Sequence, residues 1–349
     1  MKLLRSLGLG VLFGAGILPA LGQTPAYRYL RTGEPTNVAV QPRPGFALMG
    51  GGTDIDEAFQ FLCDRASGGD FLVLRATGDD AYNAYIRRLC HLNSVATLII
   101  PSRDAAAEPF VADAIHHADA IFIAGGDQAN YIRYWMNTPV QTAINEAIRR
   151  GVPIGGTSAG LAVLGEYVYS AQADKPDDPN LDSKTAMADP YGPRISLADH
   201  FLEIPILEGI ITDTHFARRD RMGRLLVFLA RLNEPEGKPL PSPGLKIHGI
   251  GVDERAAVLV EPDGRAHVIG NGPAYFIDAD HGFGLLVDTE HEPGVMAAHK
   301  PLTFGAFEIQ KVAPGGNFYL KSWAGDGIAY KLSVENGKIR STQNANEIY

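Results

Sequence analysis

The sequence predicts an α/β fold, a mostly parallel sheet sandwiched by helices, and three observations predict it. Between residues 46 and 160, short apolar runs alternate with stretches that have the spacing of amphipathic helices. The apolar runs are continuous, as in strands that are buried on both faces. Several runs end in glycine-rich turns, and strands separated by helices in this way form a parallel sheet.

The predicted elements alternate along this region. We predict strands in FALMGGG, FLVLRATG, VATLIIPS, AIFIAGGD and VPIGGTSAG. We predict helices in DIDEAFQFLCDRA, DAYNAYIRRL, EPFVADAIHHA, QANYIRYWM and PVQTAINEAIRRG. Ligands of such sheets bind at the carboxyl ends of the strands, so the strand ends GGGTD, GGDQ and GGTSAG are expected to face one crevice.

The first residues have the pattern of an export signal. Lys2 and Arg5 precede an apolar stretch, and Ala20-Leu21-Gly22 follows the small-x-small cleavage rule. We therefore expect residues 1–22 to be a removed signal peptide and the protein to be periplasmic or secreted. The alternative is a membrane anchor, which the short run and its interrupting glycines and proline disfavour.

The rest of the chain divides into three predicted parts. Residues 23–44 are an N-terminal extension, and residues 45–290 are the catalytic α/β domain. Within that domain residues 171–199 lack periodicity and are rich in Asp and Pro, which predicts a long surface excursion. Residues 291–349 are a β-rich C-terminal extension, in which a hairpin is predicted around Asn336-Gly337.

Charge and composition exclude several classes of partner and cofactor. The formal net charge is −9, and loss of Lys2 and Arg5 makes it −11, which argues against nucleic acid and anionic membranes as partners. The chain has no H-E-x-x-H motif, P-loop or complete dinucleotide fingerprint, so no metal or cofactor is expected. Cys63 and Cys90 either form one disulfide or are buried thiols. A homodimer is one possible oligomeric state, which the sequence leaves open.

One serine lies in a pattern typical of nucleophiles. Residues 156–160, Gly-Thr-Ser-Ala-Gly, fit G-x-S-x-G, the sharp strand-to-helix turn that exposes Ser158. Such a serine needs a base and a carboxylate that orients the base. His215 follows an apolar strand and is the candidate base. Glu254 also lies at a strand end, where it is held more rigidly than Asp174 in the excursion, so Glu254 is the better orienting residue.

An arginine cluster follows His215. The protein is acidic overall, yet one stretch of seven residues contains four arginines. The stretch is at the start of a predicted helix, where positive charges oppose the helix dipole. We interpret this cluster as a binding site for substrate carboxylates. The alternative is a solvated helix face on which Asp220 and Arg224 form an i, i+4 pair. The arginines are Arg218, Arg219, Arg221 and Arg224.

Four motifs in order resemble the serine peptidase family of cyanophycinase and aspartyl dipeptidase, over roughly residues 45–290. The motifs are Gly125-Gly126-Asp127-Gln128, Gly156-Thr157-Ser158-Ala159-Gly160, Asp213-Thr214-His215-Phe216 with Arg219, Arg221 and Arg224, and Gly251-Val252-Asp253-Glu254. The resemblance implies a fold similar to class I glutamine amidotransferases, with a nucleophile elbow. It implies Ser158 as nucleophile, His215 as general base and acid, and Glu254 as orienting residue, with the amides of Gly126 and Ala159 as oxyanion hole.

The same resemblance implies a substrate. Cyanophycinases hydrolyse a poly-aspartate backbone that carries arginine on each β-carboxyl, and they release β-aspartyl-arginine. The substrate-binding residues implied are Gln128, Asp213, Thr214, Arg219, Arg221 and Arg224. Thr214 stands where cyanophycinases typically have glutamine, and the excursion is unusually long, so cyanophycin and related aspartyl peptides both remain candidate substrates.

Two other functions are compatible with part of the pattern. An α/β-hydrolase esterase shares G-x-S-x-G, but that fold orders its triad Ser, Asp, His. The other alternative is a non-catalytic ligand-binding protein that keeps the amidotransferase-like fold. Retention of Ser158, His215 and Glu254 disfavours the second alternative.

Overall fold

A computed structural model describes residues 26–174, 177–178, 180–233, 246–280 and 298–349. The predicted signal peptide lies outside these residues. Within the described ranges, no helix combines the length and the apolar character that a bilayer crossing requires.

Six of the α-helices in the described residues precede Ser158, and three follow it. They are α1 (Asp56–Arg65), α2 (Ala81–Leu89), α3 (Arg103–Ala106), α4 (Pro109–His116), α5 (Gln128–Trp135), α6 (Pro139–Arg149), α7 (Ala159–Ala162), α8 (Ser183–Ala188) and α9 (Met222–Asn233), with 3-10 turns at Pro205–Leu207 and Asn344–Asn346. Helix α6 illustrates why these segments are helical. Pro139 occupies its first turn, and Val140, Ile144 and Ile148 form one buried stripe.

The strands form two sheets. They are β1 (Arg28–Gly33), β2 (Phe46–Met49), β3 (Asp70–Arg75), β4 (Ser94–Ile99), β5 (Ala120–Ile123), β6 (Ile154–Thr157), β7 (Tyr167–Tyr169), β8 (Leu197–Asp199), β9 (Ile210–Asp213), β10 (His248–Val252), β11 (Ala256–Val260), β12 (Arg265–Gly270), β13 (Ala274–Asp280), β14 (Phe304–Val312), β15 (Asn317–Tyr319), β16 (Ala324–Gly325), β17 (Ile328–Glu335) and β18 (Lys338–Ser341).

The first sheet has a parallel centre. Its strand order is β1-β4-β3-β5-β6-β2-β11-β12-β15-β16, and the run from β4 to β2 is parallel. Alternate residues of β3 face opposite sides: Phe71 and Val73 pack in one cluster with α1, whereas Leu72 and Leu74 pack in another with α4 and α6. The predicted α/β fold, with helices on both faces, is confirmed.

The second sheet receives the strands that follow Ser158. Its order is β18-β17-β14-β13-β10-β9-β7-β8, and β9 is parallel to both β10 and β7. The remaining pairs of this sheet are antiparallel, so both sheets are mixed. The predicted β-rich C-terminal region is present, and it continues both sheets: β14 pairs with β13, and β15 pairs with β12.

The excursion 171–199 has more structure than its composition predicts. It contains α8 and β8, and the side chains of Leu181, Ala186 and Met187 are buried. Asp182 caps α8 by accepting a hydrogen bond from the amide of Thr185 at 2.8 Å. A helix of six residues is too short to show a helical period, which explains why periodicity alone does not reveal it.

Cys63 and Cys90 form a disulfide between α1 and the end of α2. The sequence leaves open whether these residues are bridged or free, and the structure shows the bridge. It ties together two helices on the same face of the first sheet.

Replacing both cysteines by alanine is expected to lower the free energy of unfolding by about 3 to 4 kcal/mol, because the bridge restricts the unfolded chain. The loop it closes has a sequence separation of 27 residues. Urea unfolding of the oxidised protein and the double variant measures the difference. Reduced wild-type protein is the matched control and should resemble the variant. Equal stability of the oxidised and reduced forms would contradict the prediction.

Candidate active site

Ser158 lies in a strained turn between β6 and α7. Its φ is 53°, in the left-handed region that side chains rarely adopt. Its amide donates to the carbonyl oxygen of Met49 at 3.1 Å. A Cβ at Gly160 would overlap the carbonyl oxygen of Ile123, so the turn needs glycine there. The strand-to-helix turn predicted at Ser158 is observed.

Ser158, His215 and Glu254 form one hydrogen-bonded chain. The distance from Ser158 Oγ to His215 Nε2 is 2.7 Å, and the distance from His215 Nδ1 to Glu254 Oε1 is also 2.7 Å. The His215 side chain is 7% exposed, whereas that of Glu254 is 28% exposed. The imidazole is therefore enclosed between a serine and a carboxylate, as a general base requires.

The two sheets deliver these three residues to one place. Ser158 follows β6 of the first sheet, and His215 follows β9 of the second. Glu254 lies between β10 and β11, where the chain passes from the second sheet to the first. Since β9 and β10 are parallel neighbours, their carboxyl ends bring His215 and Glu254 together.

The backbone of residues 49–51, at the end of β2, contacts all three segments. Besides the bond from Ser158 to Met49, the amide of His215 donates to Gly50 O at 2.8 Å, and that of Arg255 donates to Gly51 O at 2.9 Å. Gly51 has a φ of 96°, and a Cβ there would lie 2.5 Å from the His215 ring. The sequence identifies these glycines only as a strand end, and sequence reasoning missed their contact with the imidazole.

Gly126 and Ala159 lie at the ends of β5 and β6, next to Ser158. Neither backbone amide donates to an acceptor among the described residues. The hydroxyl of Tyr131 donates to Ala124 O at 2.8 Å and so fixes the loop that carries Gly126. Tyr131 is a second residue that sequence reasoning missed, because on α5 it is indistinguishable from an ordinary core aromatic. The oxyanion-hole role of the two amides stays a prediction.

A cavity of about 480 Å³ opens beside Ser158. Five of the six residues predicted to bind substrate line it: Gln128, Thr214, Arg219, Arg221 and Arg224. The sixth, Asp213, is buried against Arg224.

Burial separates the three arginines that were predicted to bind substrate. Arg224 is 1% exposed and donates to both carboxylate oxygens of Asp213, with Nε 2.7 Å from Oδ2. Asp220, the alternative partner, instead accepts from the hydroxyl of Tyr349 at 3.0 Å. Arg219 is exposed. The guanidinium of Arg224 is thus already engaged in a bidentate pair, and Arg219 is the member of the three that is accessible to a ligand.

Arg221 links the excursion to the segment of His215. Its Nη1 donates to Thr214 O at 2.9 Å, and its Nε and Nη2 donate to Asn180 Oδ1 at 3.2 and 3.1 Å. Asn180 also donates to the carbonyl oxygen of Arg219 at 3.3 Å. The arginine cluster is therefore held in place from the excursion, a contact between distant segments that no local pattern indicates.

The charges around His215 favour a neutral imidazole beside an ionised carboxylate. Burial lowers the pKa of His215, and Arg219 and Arg221 lower it further, whereas the hydrogen bond with Glu254 acts in the opposite direction. The hydrogen bond from His215 lowers the pKa of Glu254, and Arg219 and Arg218 add to this effect. A neutral imidazole is the form that accepts a proton from a serine hydroxyl.

No group of three or more His, Cys, Asp or Glu side chains suited to a metal ion occurs in the part of the chain that the structure describes.

Comparison with known proteins gives matches that cover the site in part. The family model described as "Peptidase family S51" matches residues 76–221. A cyanophycinase of Geminocystis herdmanii is 29% identical over 209 residues, which are 60% of this chain and 65% of that protein. A cyanophycinase of Synechococcus elongatus is 27% identical over 241 residues, 66% of each chain. The matches thus span slightly less than two thirds of the length of these relatives.

Two solved structures are also similar. A peptidase from an acI-B1 Actinobacterium has a TM-score of 0.49 at 16% identity and covers 80% of this chain and 98% of its own. A putative peptidase E protein from Listeria monocytogenes has a TM-score of 0.42 at 12% identity, with 65% and 98% covered.

The His215 ring is expected to titrate below its ordinary value of about 6.5, because burial disfavours the imidazolium. Arg219→Gln should raise the midpoint by removing a nearby cation, and Glu254→Gln should lower it by removing the carboxylate. NMR titration of the histidine rings, assigned with His215→Gln, measures these shifts. Arg88→Gln, at an exposed position on α2, is the control and should leave the midpoint unchanged. Shifts of the opposite sign would refute this electrostatic description.

Arg224→Met is expected to lower the free energy of unfolding by about 3 to 5 kcal/mol, because it removes the bidentate partner of the buried Asp213 carboxylate and leaves only the amide of Thr214 and the guanidinium of Arg221, whose Nη1 is 3.6 Å away. Arg219→Met is the matched control, since it removes the same group from an exposed position and should cost less than about 0.5 kcal/mol. Urea unfolding compares the two variants. Equal losses of unfolding free energy would mean that the Asp213–Arg224 pair stabilises the fold no more than the exposed Arg219 does.

Proposed function

We propose that this chain is a serine peptidase of the cyanophycinase type, because it matches the model of peptidase family S51 and resembles cyanophycinases in sequence. The observation that carries the proposal is the hydrogen-bonded chain from Ser158 through His215 to Glu254. Acyl transfer requires a nucleophile hydrogen-bonded to a base and a carboxylate that orients the base. Both hydrogen bonds of this chain are 2.7 Å long.

The proposed mechanism proceeds through an acyl-enzyme. Neutral His215 takes the proton of the Ser158 hydroxyl through Nε2 while Oγ attacks the scissile carbonyl carbon, and Glu254 stabilises the imidazolium that forms. The amides of Gly126 and Ala159 donate to the developing oxyanion. His215 then protonates the leaving amine, the C–N bond breaks, and water activated by the same imidazole hydrolyses the ester.

The proposed substrates are cyanophycin and related aspartyl peptides. The relatives with matching sequence are named cyanophycinase, and the cavity beside Ser158 is lined by Arg219, an exposed cation suited to a carboxylate. In cyanophycin every aspartate carries an arginine through its β-carboxyl, so the α-carboxylate of each arginine is free. These are the carboxylates that we propose Arg219 to bind.

The order of the three residues weighs against the esterase alternative. Ser158, His215 and Glu254 follow one another along the chain, whereas α/β-hydrolases order their triad Ser, Asp or Glu, His.

We further propose that the protein is exported and acts in the periplasm or outside the cell. The disulfide between Cys63 and Cys90 supports this location, because such bridges persist in oxidising compartments.

Incubation of the purified protein with cyanophycin, with the products identified by mass, tests the proposed function. Release of β-aspartyl-arginine is expected. Persistence of intact polymer and of short β-aspartyl-arginine oligomers would overturn the substrate assignment. A fluorophosphonate probe separates this result from loss of the nucleophile, since it labels an activated Ser158 whatever the substrate.

Ser158→Ala and His215→Ala are each expected to lower turnover of cyanophycin by at least about a thousandfold, and the double variant little further, because triad members act as a unit. Initial rates of product release measure the losses. Ser170→Ala is the matched control, since Ser170 bonds to Ser196 and lies outside the triad. Multiplicative losses in the double variant would place His215 outside the proposed mechanism.

A further inference from the structure

Asp174 brings a carboxylate from the excursion 171–199 into the wall of the cavity beside Ser158. Its Oδ1 accepts hydrogen bonds from the hydroxyl of Tyr169 at 2.7 Å and from Nε and Nη2 of Arg194 at 3.3 and 3.2 Å. The side chain is 11% exposed. No donor among the described residues reaches Oδ2. Within the described residues, one oxygen is therefore held by three donors and the other by none.

The partners of Asp174 are themselves held. Arg194 is 13% exposed and also donates to Asp178 Oδ2 at 2.7 Å. The ring of Tyr169 lies 5.0 Å from the guanidinium carbon of Arg224 and is stacked on Phe228. A carboxylate whose rotamer is locked by such contacts loses little entropy when it binds a ligand.

The other charges of the cavity leave Asp174 as the best-placed acceptor for a cation. The ionisable groups that line it are Asp127, Arg133, Asp174, Arg219, Arg221 and Arg224. Asp127 is exposed, and its Oδ1 caps α5 by accepting from the amide of Ala129. Asp213, which the resemblance implies as a substrate-binding residue, is occupied by Arg224. The exposed Arg133 and Arg219 supply positive charge in the same cavity.

We infer that Asp174 is a specificity-determining residue whose Oδ2 accepts a hydrogen bond from the cationic side chain of the substrate, the guanidinium of an arginyl unit. The inference rests on the proposed function and extends it. A cavity that offers accessible guanidinium groups and the largely buried carboxylate of Asp174 fits a ligand that carries both carboxylate and cation. A β-aspartyl-arginine unit is such a ligand, because its arginine retains a free α-carboxylate and a guanidinium.

Paired substrates test the inference. A trimer of β-aspartyl-arginine units is compared with the trimer in which citrulline replaces arginine, because citrulline keeps the shape and loses the charge. The wild-type enzyme should favour the arginine trimer in kcat/KM, and Asp174→Asn should reduce this preference by about tenfold or more, as expected for a hydrogen bond to a charged group. Both rates are measured on the same enzyme, so any loss of folded protein cancels from their ratio.

Asp178→Asn is the matched control. Asp178 bonds to the same arginine, is 59% exposed and does not line the cavity, so this variant should keep the wild-type preference. An unchanged preference in Asp174→Asn overturns the inference, as does a loss of preference in Asp127→Asn with none in Asp174→Asn.

A binding measurement separates this inference from the proposed function. Calorimetry with Ser158→Ala protein compares the two trimers without hydrolysis. Ser158→Ala protein should bind the arginine trimer more tightly than the citrulline trimer, and the Ser158→Ala, Asp174→Asn double variant should show a smaller difference. This result supports the role of Asp174 even if the wild-type enzyme cleaves neither trimer. Failure of the wild-type enzyme to cleave them would refute only the proposed hydrolysis. Equal binding of the two trimers, or none, overturns the role of Asp174.

Discussion

The backbone of residues 49–51 is the constraint on which the site depends. These residues end β2 and accept hydrogen bonds from the amides of Ser158, His215 and Arg255, so one segment fixes the backbone at Ser158, at His215 and beside Glu254. Side-chain triads are usually described through their own hydrogen bonds. Here main-chain hydrogen bonds, which do not depend on protonation, also hold the backbone of Ser158, His215 and Arg255. Gly51 makes this possible, because only a residue without Cβ leaves room for the imidazole.

The junction of the two sheets makes this arrangement possible. The chain leaves the second sheet at β10 and enters the first at β11, and Glu254 lies on the three-residue crossing. Ser158 and His215 have positive φ values, as does Arg255. Strain of this kind persists only where surrounding contacts over-determine the backbone, and both sheets supply such contacts. The hydrogen-bonded chain of Ser158, His215 and Glu254 is therefore held by long-range pairing between elements that are distant in sequence.

The buried and the exposed arginines of the cluster make different contacts. Arg224 forms a bidentate pair with Asp213 in the interior, and Arg221 joins Thr214 to Asn180, so both hold the segment around His215. Arg219 remains exposed beside the cavity and lowers the pKa of His215. The buried arginines Arg221 and Arg224 thus hold the backbone around His215, whereas the exposed Arg219 is accessible from the cavity. The excursion 171–199 contributes to both regions: Asn180 is hydrogen-bonded to Arg221, and Asp174 lines the cavity.

The sequence by itself determined the alternation of strands and helices between residues 46 and 160, the turn at Ser158, and the pairing of Ser158 with His215 and Glu254 as candidates. These features are local periods or residues at strand ends, and the resemblance to a family added their order. Only the tertiary structure decided that Arg224 is buried against Asp213, that Cys63 meets Cys90, and that Gly51 packs on the imidazole. The physical reason is that burial and partner choice depend on contacts across the two sheets, which no window of neighbouring residues contains.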